Sequence, residues 1–69
     1  MMRKQSKNQR LMRLIESFSL CIYRTSSFGR FRWLTVEQLP EHDSALLLAF
    51  LKREKFIFKI EGGIQVALV

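Results

Sequence analysis

The sequence predicts a small α+β domain with the element order helix, strand, helix, helix, β-hairpin. Three observations predict this class: an apolar stripe with helical spacing early in the chain, an apolar helix-like segment that includes residues 44–51, and two apolar segments that flank Gly62-Gly63. A chain of 69 residues forms one domain at most, with a small core. We expect residues 1–5 to be a flexible basic tail and residues 6–69 to form the single domain.

The first helix is predicted to span about residues 7–21. Ser6 and Gln9 match a capping box, in which the Ser6 hydroxyl accepts a hydrogen bond from the Gln9 amide and the Gln9 side chain accepts one from the Ser6 amide. An apolar stripe at helical spacing follows, formed by Leu11, Leu14, Ile15, Phe18 and Ile22.

The middle of the chain permits two interpretations. The first places a loop at residues 25–29 and a short strand at residues 30–34, with Phe31 and Trp33 on one face and buried in the core. The second pairs residues 20–24 with residues 30–34 as a hairpin and shortens the first helix by one turn. The β-branched and aromatic residues at positions 22 and 23 keep this second interpretation open beside the first.

Two more helices are predicted after the strand. Residues 35–38 match a T-x-x-Q capping box, which indicates a helix that Pro40 ends after about one turn. Asp43 or Ser44 is then expected to cap a longer helix that reaches about Lys55.

The C-terminal part of the chain is predicted to form a β-hairpin. Residues 56–60 and 64–69 flank Gly62-Gly63, which is a strong signal for a two-residue turn. Such a turn places Phe58 opposite Ala67 and leaves both faces of the hairpin partly apolar.

The segments LMRLIESF, FRWL, LTVEQLP and FLKREKFIF, followed by EGG, resemble the winged helix superfamily in their order. The resemblance implies that TVEQLP is the first helix of a helix-turn-helix, that DSALLLAFLKREK is the recognition helix, and that Gly62-Gly63 is the tip of the wing. It therefore implies a winged-helix-like DNA-binding domain. The start of the recognition helix carries Glu41 and Asp43, which repel phosphates and disfavour sequence readout in the major groove.

Positive charge is concentrated in the first half of the chain. Residues 1–34 carry a net charge of +7 and residues 35–69 a net charge of −1, within a total of +6. A basic block of this kind favours a polyanion, so we predict a small nucleic-acid-binding protein that contacts mainly phosphates, with duplex DNA as the expected ligand and a transcription or replication accessory role. The predicted contact residues are Arg3, Lys4, Lys7, Arg10, Arg13, Arg24, Arg30, Arg32 and Lys59.

Two other functions are compatible with the sequence. In the first, the chain is a protein-interaction module, an inhibitor or adaptor, that docks through the apolar helix at residues 44–51 and through the C-terminal hairpin. In the second, the basic amphipathic first helix binds a membrane surface. Surplus apolar surface also predicts a homodimer or an obligate complex. The predicted interface residues are Leu48, Ile64, Val66 and Leu68.

The composition argues against several functional classes. One cysteine, Cys21, permits no intrachain disulfide, and Cys21 with a single histidine, His42, forms no metal-ligand cluster. Neither residue has a visible partner that would complete a catalytic site, so we expect no enzyme activity and no cofactor. The longest apolar run, residues 45–51, is far short of a membrane span, and an unpaired cysteine suits the cytoplasm.

Overall fold

The computed structural model describes residues 6–19 and 21–69, so the predicted tail at residues 1–5 lies outside the described residues. It confirms the α+β class, but the described residues form two helices where three were predicted. In chain order the elements are α1 (Lys7–Glu16), β1 (Ile22–Phe28), β2 (Phe31–Glu37), α2 (Glu41–Arg53), β3 (Phe58–Ile60) and β4 (Ile64–Leu68). The four strands form one antiparallel sheet in the order β1-β2-β4-β3.

Helix α1 begins where the capping box predicts. The Gln9 amide donates to Ser6 Oγ at 3.2 Å, and the Ser6 amide donates to Gln9 Oε1 at 3.0 Å. Leu11 and Ile15 from the predicted stripe are buried in the core. The helix ends at Glu16, five residues before the predicted end, because the chain enters strand β1 at Ile22.

Strands β1 and β2 form a hairpin, as the second interpretation expected, but its pairing of residues 20–24 with residues 30–34 is wrong, because residues 22–24 pair with residues 35–37. The predicted loop at residues 25–29 is wrong, since residues 25–28 pair with residues 31–34. The turn is the dipeptide Gly29-Arg30. Gly29 has a φ of 64°, which glycine adopts without steric cost, and glycine at the first position is typical of a type II′ hairpin turn.

The predicted short helix at residues 35–38 is wrong, because β2 continues through Glu37. Thr35 and Val36 are paired on both sides, with β1 and with β4, and the side chain of Val36 is buried. β-branched side chains favour a strand, and tertiary pairing here outweighs the local capping pattern. The described chain therefore has the order helix, strand, strand, helix, strand, strand, and it contains no helix-turn-helix.

Helix α2 is present, but its start differs from the prediction. It begins at Glu41 directly after Pro40, so neither Asp43 nor Ser44 is its cap. Leu47 and Leu51 are fully buried. Leu48 and Phe50 pack against the same core, and Leu46 is the leucine of this helix that is exposed. Most of the large apolar side chains of α2 thus pack against the core of the domain.

The β3–β4 hairpin is confirmed, with a register that differs from the prediction by one residue. Phe58 is opposite Val66 and not Ala67, because Glu61 joins the two glycines in a three-residue connection. Gly63 has a φ of 115°, and a Cβ at this position would lie 2.6 Å from the carbonyl oxygen of Val36. The hairpin therefore depends on a glycine at position 63.

Both helices pack against one face of the sheet, which we call the covered face. The central strands β2 and β4 supply its buried side chains, Leu34, Val36, Ile64 and Val66. Strand β1 lies beyond the helices, and all seven of its residues are exposed. The opposite face of the sheet, which we call the open face, has no helix packed against it within the described chain.

Helix α2 provides a matched test of the core. We expect Leu47→Ala to lower the free energy of unfolding by about 2–5 kcal/mol, because it removes a fully buried side chain. Leu46→Ala removes the same atoms from an exposed position and should change the free energy by about 0.5 kcal/mol or less. Urea denaturation followed by circular dichroism measures both. Equal losses would contradict this core.

The two glycines of the β3–β4 connection should respond differently to alanine. Gly62→Ala meets no atom within 4 Å and suffers mainly from its φ of 63°, so we expect a loss of about 1 kcal/mol. Gly63→Ala also forces a Cβ against the Val36 carbonyl, so we expect a loss of at least about 2 kcal/mol. Thermal denaturation compares the two. A Gly63→Ala protein as stable as the Gly62→Ala protein would show that this turn is wrong.

Candidate functional site

The open face collects alternate residues from every strand of the sheet. Successive side chains of a strand point to opposite faces, and the observed register then determines which of them are neighbours. The side chains that share this face are Ile22, Arg24, Ser26, Phe28, Phe31, Trp33, Thr35, Glu37, Lys59, Gln65 and Ala67.

Three aromatic side chains lie together near the β1–β2 turn on the open face. Phe28 is 79% exposed and Phe31 is 44% exposed. The rings of Phe31 and Trp33 meet edge to face, with their centroids 6.0 Å apart. The prediction that Phe31 and Trp33 are core residues is wrong, because Leu34 on the same strand takes the covered face and the alternation places Phe31 and Trp33 on the other.

A cleft of about 330 Å³ lies beside these rings. Phe28 and Trp33 supply its aromatic walls, and Ser26, Lys59 and Gln65 supply polar groups. Lys59 Nζ lies 5.4 Å from the centroid of the Trp33 ring, within the range of a cation–π contact. The cleft therefore suits a flat aromatic group that also offers hydrogen-bonding atoms or negative charge.

The acidic side chains near the open face lie at one end of the strands, where each pairs with a basic side chain. Arg24 Nη2 lies 3.5 Å from Glu37 Oε1, and Lys59 Nζ lies 3.8 Å from Glu61 Oε2, so the acidic side chains are at the end of the sheet away from the β1–β2 turn. Arg30 lies in that turn and makes no salt bridge with any described residue. The aromatic end of the face is thus the end that favours an anion.

The predicted basic residues do not form one surface. Arg24, Arg30 and Lys59 border the open face, while Arg32 is exposed on the opposite side of β2. Those of α1 belong to the covered side of the sheet. There Lys7 Nζ lies 5.5 Å above the Phe56 ring, Arg10 forms an ion pair with Glu54, and Arg13 lies on the same helix. Arg3 and Lys4 lie outside the described residues.

The predicted interface on the C-terminal strand requires a correction. Val66 is fully buried in the core and Ile64 is 6% exposed, so neither supplies much surface for an external interface. Leu68 and Leu48 are half-buried and pack against that core. Leu48 also lines a second cleft of about 270 Å³ beside α2, together with Ile60 and Leu39.

Cys21 has the properties of a packed thiol. Burial raises the pKa of Cys21 above its usual range, and the negative charge of Asp43 raises it further. The thiol therefore stays protonated at neutral pH, which is the opposite of what activates a nucleophilic cysteine. Within residues 6–19 and 21–69, the structure also shows no group of three or more His, Cys, Asp or Glu that could hold a metal ion.

Sequence reasoning missed Phe28, because it placed this residue in a loop. The useful signal was the spacing of Phe28, Phe31 and Trp33 around Gly29-Arg30, which puts all three rings on one face once a two-residue turn is assumed. Ser26 and Gln65 gave no signal of their own, since their place beside the cleft depends on strand pairing.

Comparison with known proteins found no family model, no curated protein and no solved structure that matches this chain. Neither α1 nor α2, the helices of the described chain, has the length and apolar character that crossing a bilayer requires.

Proposed function

We propose that this protein binds single-stranded nucleic acid on the open face of its sheet. Bases stack on Phe28 and Trp33 at the cleft, and Arg24, Arg30 and Lys59 attract the phosphates that pass beside them. The observation that carries the proposal is the group of aromatic rings on a sheet face that no helix covers: Phe28 and Phe31 are exposed, and Trp33 is half-buried with Lys59 beside it.

The exposure of the aromatic rings favours an unpaired strand over a duplex. Base–aromatic stacking needs the flat face of a base, and that face is covered by neighbouring bases inside a duplex. A ring such as Phe28, which is 79% exposed, gains little from the protein's own core. It has a large surface available for a ligand.

The net charge of +6 supports a polyanionic ligand of this kind. The cations around the open face are few, so stacking supplies a larger share of the binding energy than the phosphate-dominated mode that the sequence suggested. The basic side chains of α1 lie on the other side of the sheet, where they raise the long-range attraction without contacting a strand on the open face.

The predicted duplex mode through a winged helix has less support. It required residues 35–38 to be the first helix of a helix-turn-helix, and these residues belong to β2 and the turn that follows it. A relation to the winged helix superfamily stays a prediction, and so does a role in transcription or replication.

The alternative functions lose part of the surfaces that motivated them. Leu47 and Leu51 of the apolar helix are buried, as are Leu11 and Ile15 of the amphipathic first helix. What stays exposed for docking is Leu46 on the helix and scattered apolar side chains of the C-terminal hairpin, such as Ile57 and Ile60. Neither is therefore the function we propose.

The aromatic residues give the most direct test. We expect Phe28→Ala to weaken binding to single-stranded oligothymidylate about tenfold, because one stacked base is worth about 1–3 kcal/mol. The single tryptophan, Trp33, is part of the cleft, so its fluorescence should be quenched when wild-type protein is titrated with the oligonucleotide.

Leu46→Ala is the matched control, since it removes an exposed apolar side chain from α2 and should leave the dissociation constant unchanged. Duplex DNA of the same length should bind more weakly than the single strand. Unchanged affinity of the Phe28→Ala protein, or tighter binding of the duplex, would refute the proposed site.

Salt dependence tests the phosphate contacts separately. With three or four phosphates contacted, the logarithm of the binding constant should fall with the logarithm of salt concentration with a slope of about −2 to −3. The double variant Arg30→Ala, Lys59→Ala should reduce the magnitude of this slope by about 1.4. The double variant Lys52→Ala, Arg53→Ala removes the same charge from α2 and should change the slope little. Identical slopes in the two double variants would argue against these contacts.

A further inference from the structure

Strand β1 is the end strand of the sheet, and its outer edge has no partner among the described residues. It is seven residues long, and every residue is exposed. The opposite edge strand, β3, has only three residues and carries Lys59. A short edge strand and a charged side chain on the edge are both common protections against pairing with another chain. Strand β1 contains neither proline nor lysine, and its one charged residue is Arg24, so it is the longer and less protected edge of this sheet.

The register of the hairpin shows which backbone groups point outward. In a two-residue hairpin the residues that flank the turn, Phe28 and Phe31, exchange both backbone hydrogen bonds, and bonded and non-bonded pairs alternate from there. The even-numbered residues of β1 therefore bond to β2. The N–H and C=O groups of Tyr23, Thr25 and Ser27 point to the free edge.

We propose that β1 pairs with β1 of a second copy of this chain, antiparallel and about a two-fold axis that passes between the two Thr25 residues. In this register Thr25 faces Thr25, Tyr23 faces Ser27, Arg24 faces Ser26, and Ile22 faces Phe28. All seven residues are paired, and the outward backbone groups of each copy meet those of the other. The proposal does not rest on nucleic-acid binding, and Phe28 is the residue that the two proposed surfaces share.

The sequence of β1 is self-complementary in this register. Ile22 is 52% exposed and Phe28 is 79% exposed, and pairing brings them into contact with each other on the open face at both ends of the interface, while Phe28 also lines the cleft. Each Arg24 lies opposite a serine, so the two arginines do not face each other. Such an interface, in which the same surface serves both copies, is the commonest form of protein dimer.

The neighbouring registers are less favourable. Moving the second copy by two residues in one direction places Arg24 directly opposite Arg24, where like charges repel. Moving it in the other direction places Arg24 opposite Phe28 and leaves Ile22 outside the paired strand. The order of charged, polar and apolar residues in β1 thus favours the register in which Thr25 faces Thr25, with a second copy of the chain as the partner.

Sedimentation equilibrium and cysteine cross-linking test the dimer together. We expect a dimer of the wild-type protein at high micromolar concentration. Thr25→Pro removes an outward N–H that the hairpin does not use, so it should give a folded monomer, whereas Thr25→Val keeps the N–H and should stay dimeric. Circular dichroism checks the fold of each variant.

The cross-linking arm does not depend on the proline variant folding. In a Cys21→Ser background, Thr25→Cys places two thiols opposite each other across the axis, where Cα atoms of a bonded pair are about 5.5 Å apart and a disulfide can form. Ser27→Cys lies on the same side of β1 but faces Tyr23 of the other copy, so it should cross-link far more slowly. A wild-type monomer at every concentration, a folded dimeric Thr25→Pro protein, or equal cross-linking at positions 25 and 27 would overturn the proposal.

Discussion

The commitment of residues 34–37 to strand β2 determines the arrangement of the whole domain. Because β2 continues through Glu37, it pairs with β1 on one side and with β4 on the other. Leu34 and Val36 then face the helices and are buried, so Phe31 and Trp33 must face the opposite side. If these residues formed the helix that their capping pattern suggests, β2 would end before Val36, and the pairing of Val36 with Ile64 would be lost. The open face would then lack Thr35 and Glu37 of its central strand.

A chain of this size cannot cover both faces of a four-stranded sheet. The two helices have 10 and 13 residues, and both are used on the covered face. Burying the open face as well would require another layer of structure beyond these two helices, and the described residues contain none. The exposed aromatic residues are therefore a direct result of the topology, and a ligand or a second copy can cover what the chain itself cannot.

The sequence predicts local features of this protein better than it predicts pairing. The Ser6 capping box, an apolar helix through Leu47 and a hairpin near Gly62-Gly63 depend on residues close together in the chain, and the structure contains each of them. The T-x-x-Q pattern at residues 35–38 misled because it competes with partners about 30 positions away, such as Ile64 opposite Val36. The same limit applies to the site: Arg24, Arg30 and Lys59 were recognised one by one, but which of them share a face depends on the register.

The strands that line the cleft on the open face differ in how firmly the sheet holds them. Strand β1 has one neighbour within the domain and no helix over either face, whereas β2 and β4 are paired on both sides. Local opening of a protein is easiest where few buried contacts hold a segment, so in a single copy of the chain, where the outer edge of β1 is unpaired, β1 should exchange its amide hydrogens before the central strands do. Ser26 and Phe28 line the cleft from β1, which opens easily, whereas Trp33 and Gln65 line it from the central strands β2 and β4. The cleft can thus widen or narrow by a movement of β1 while the core stays intact.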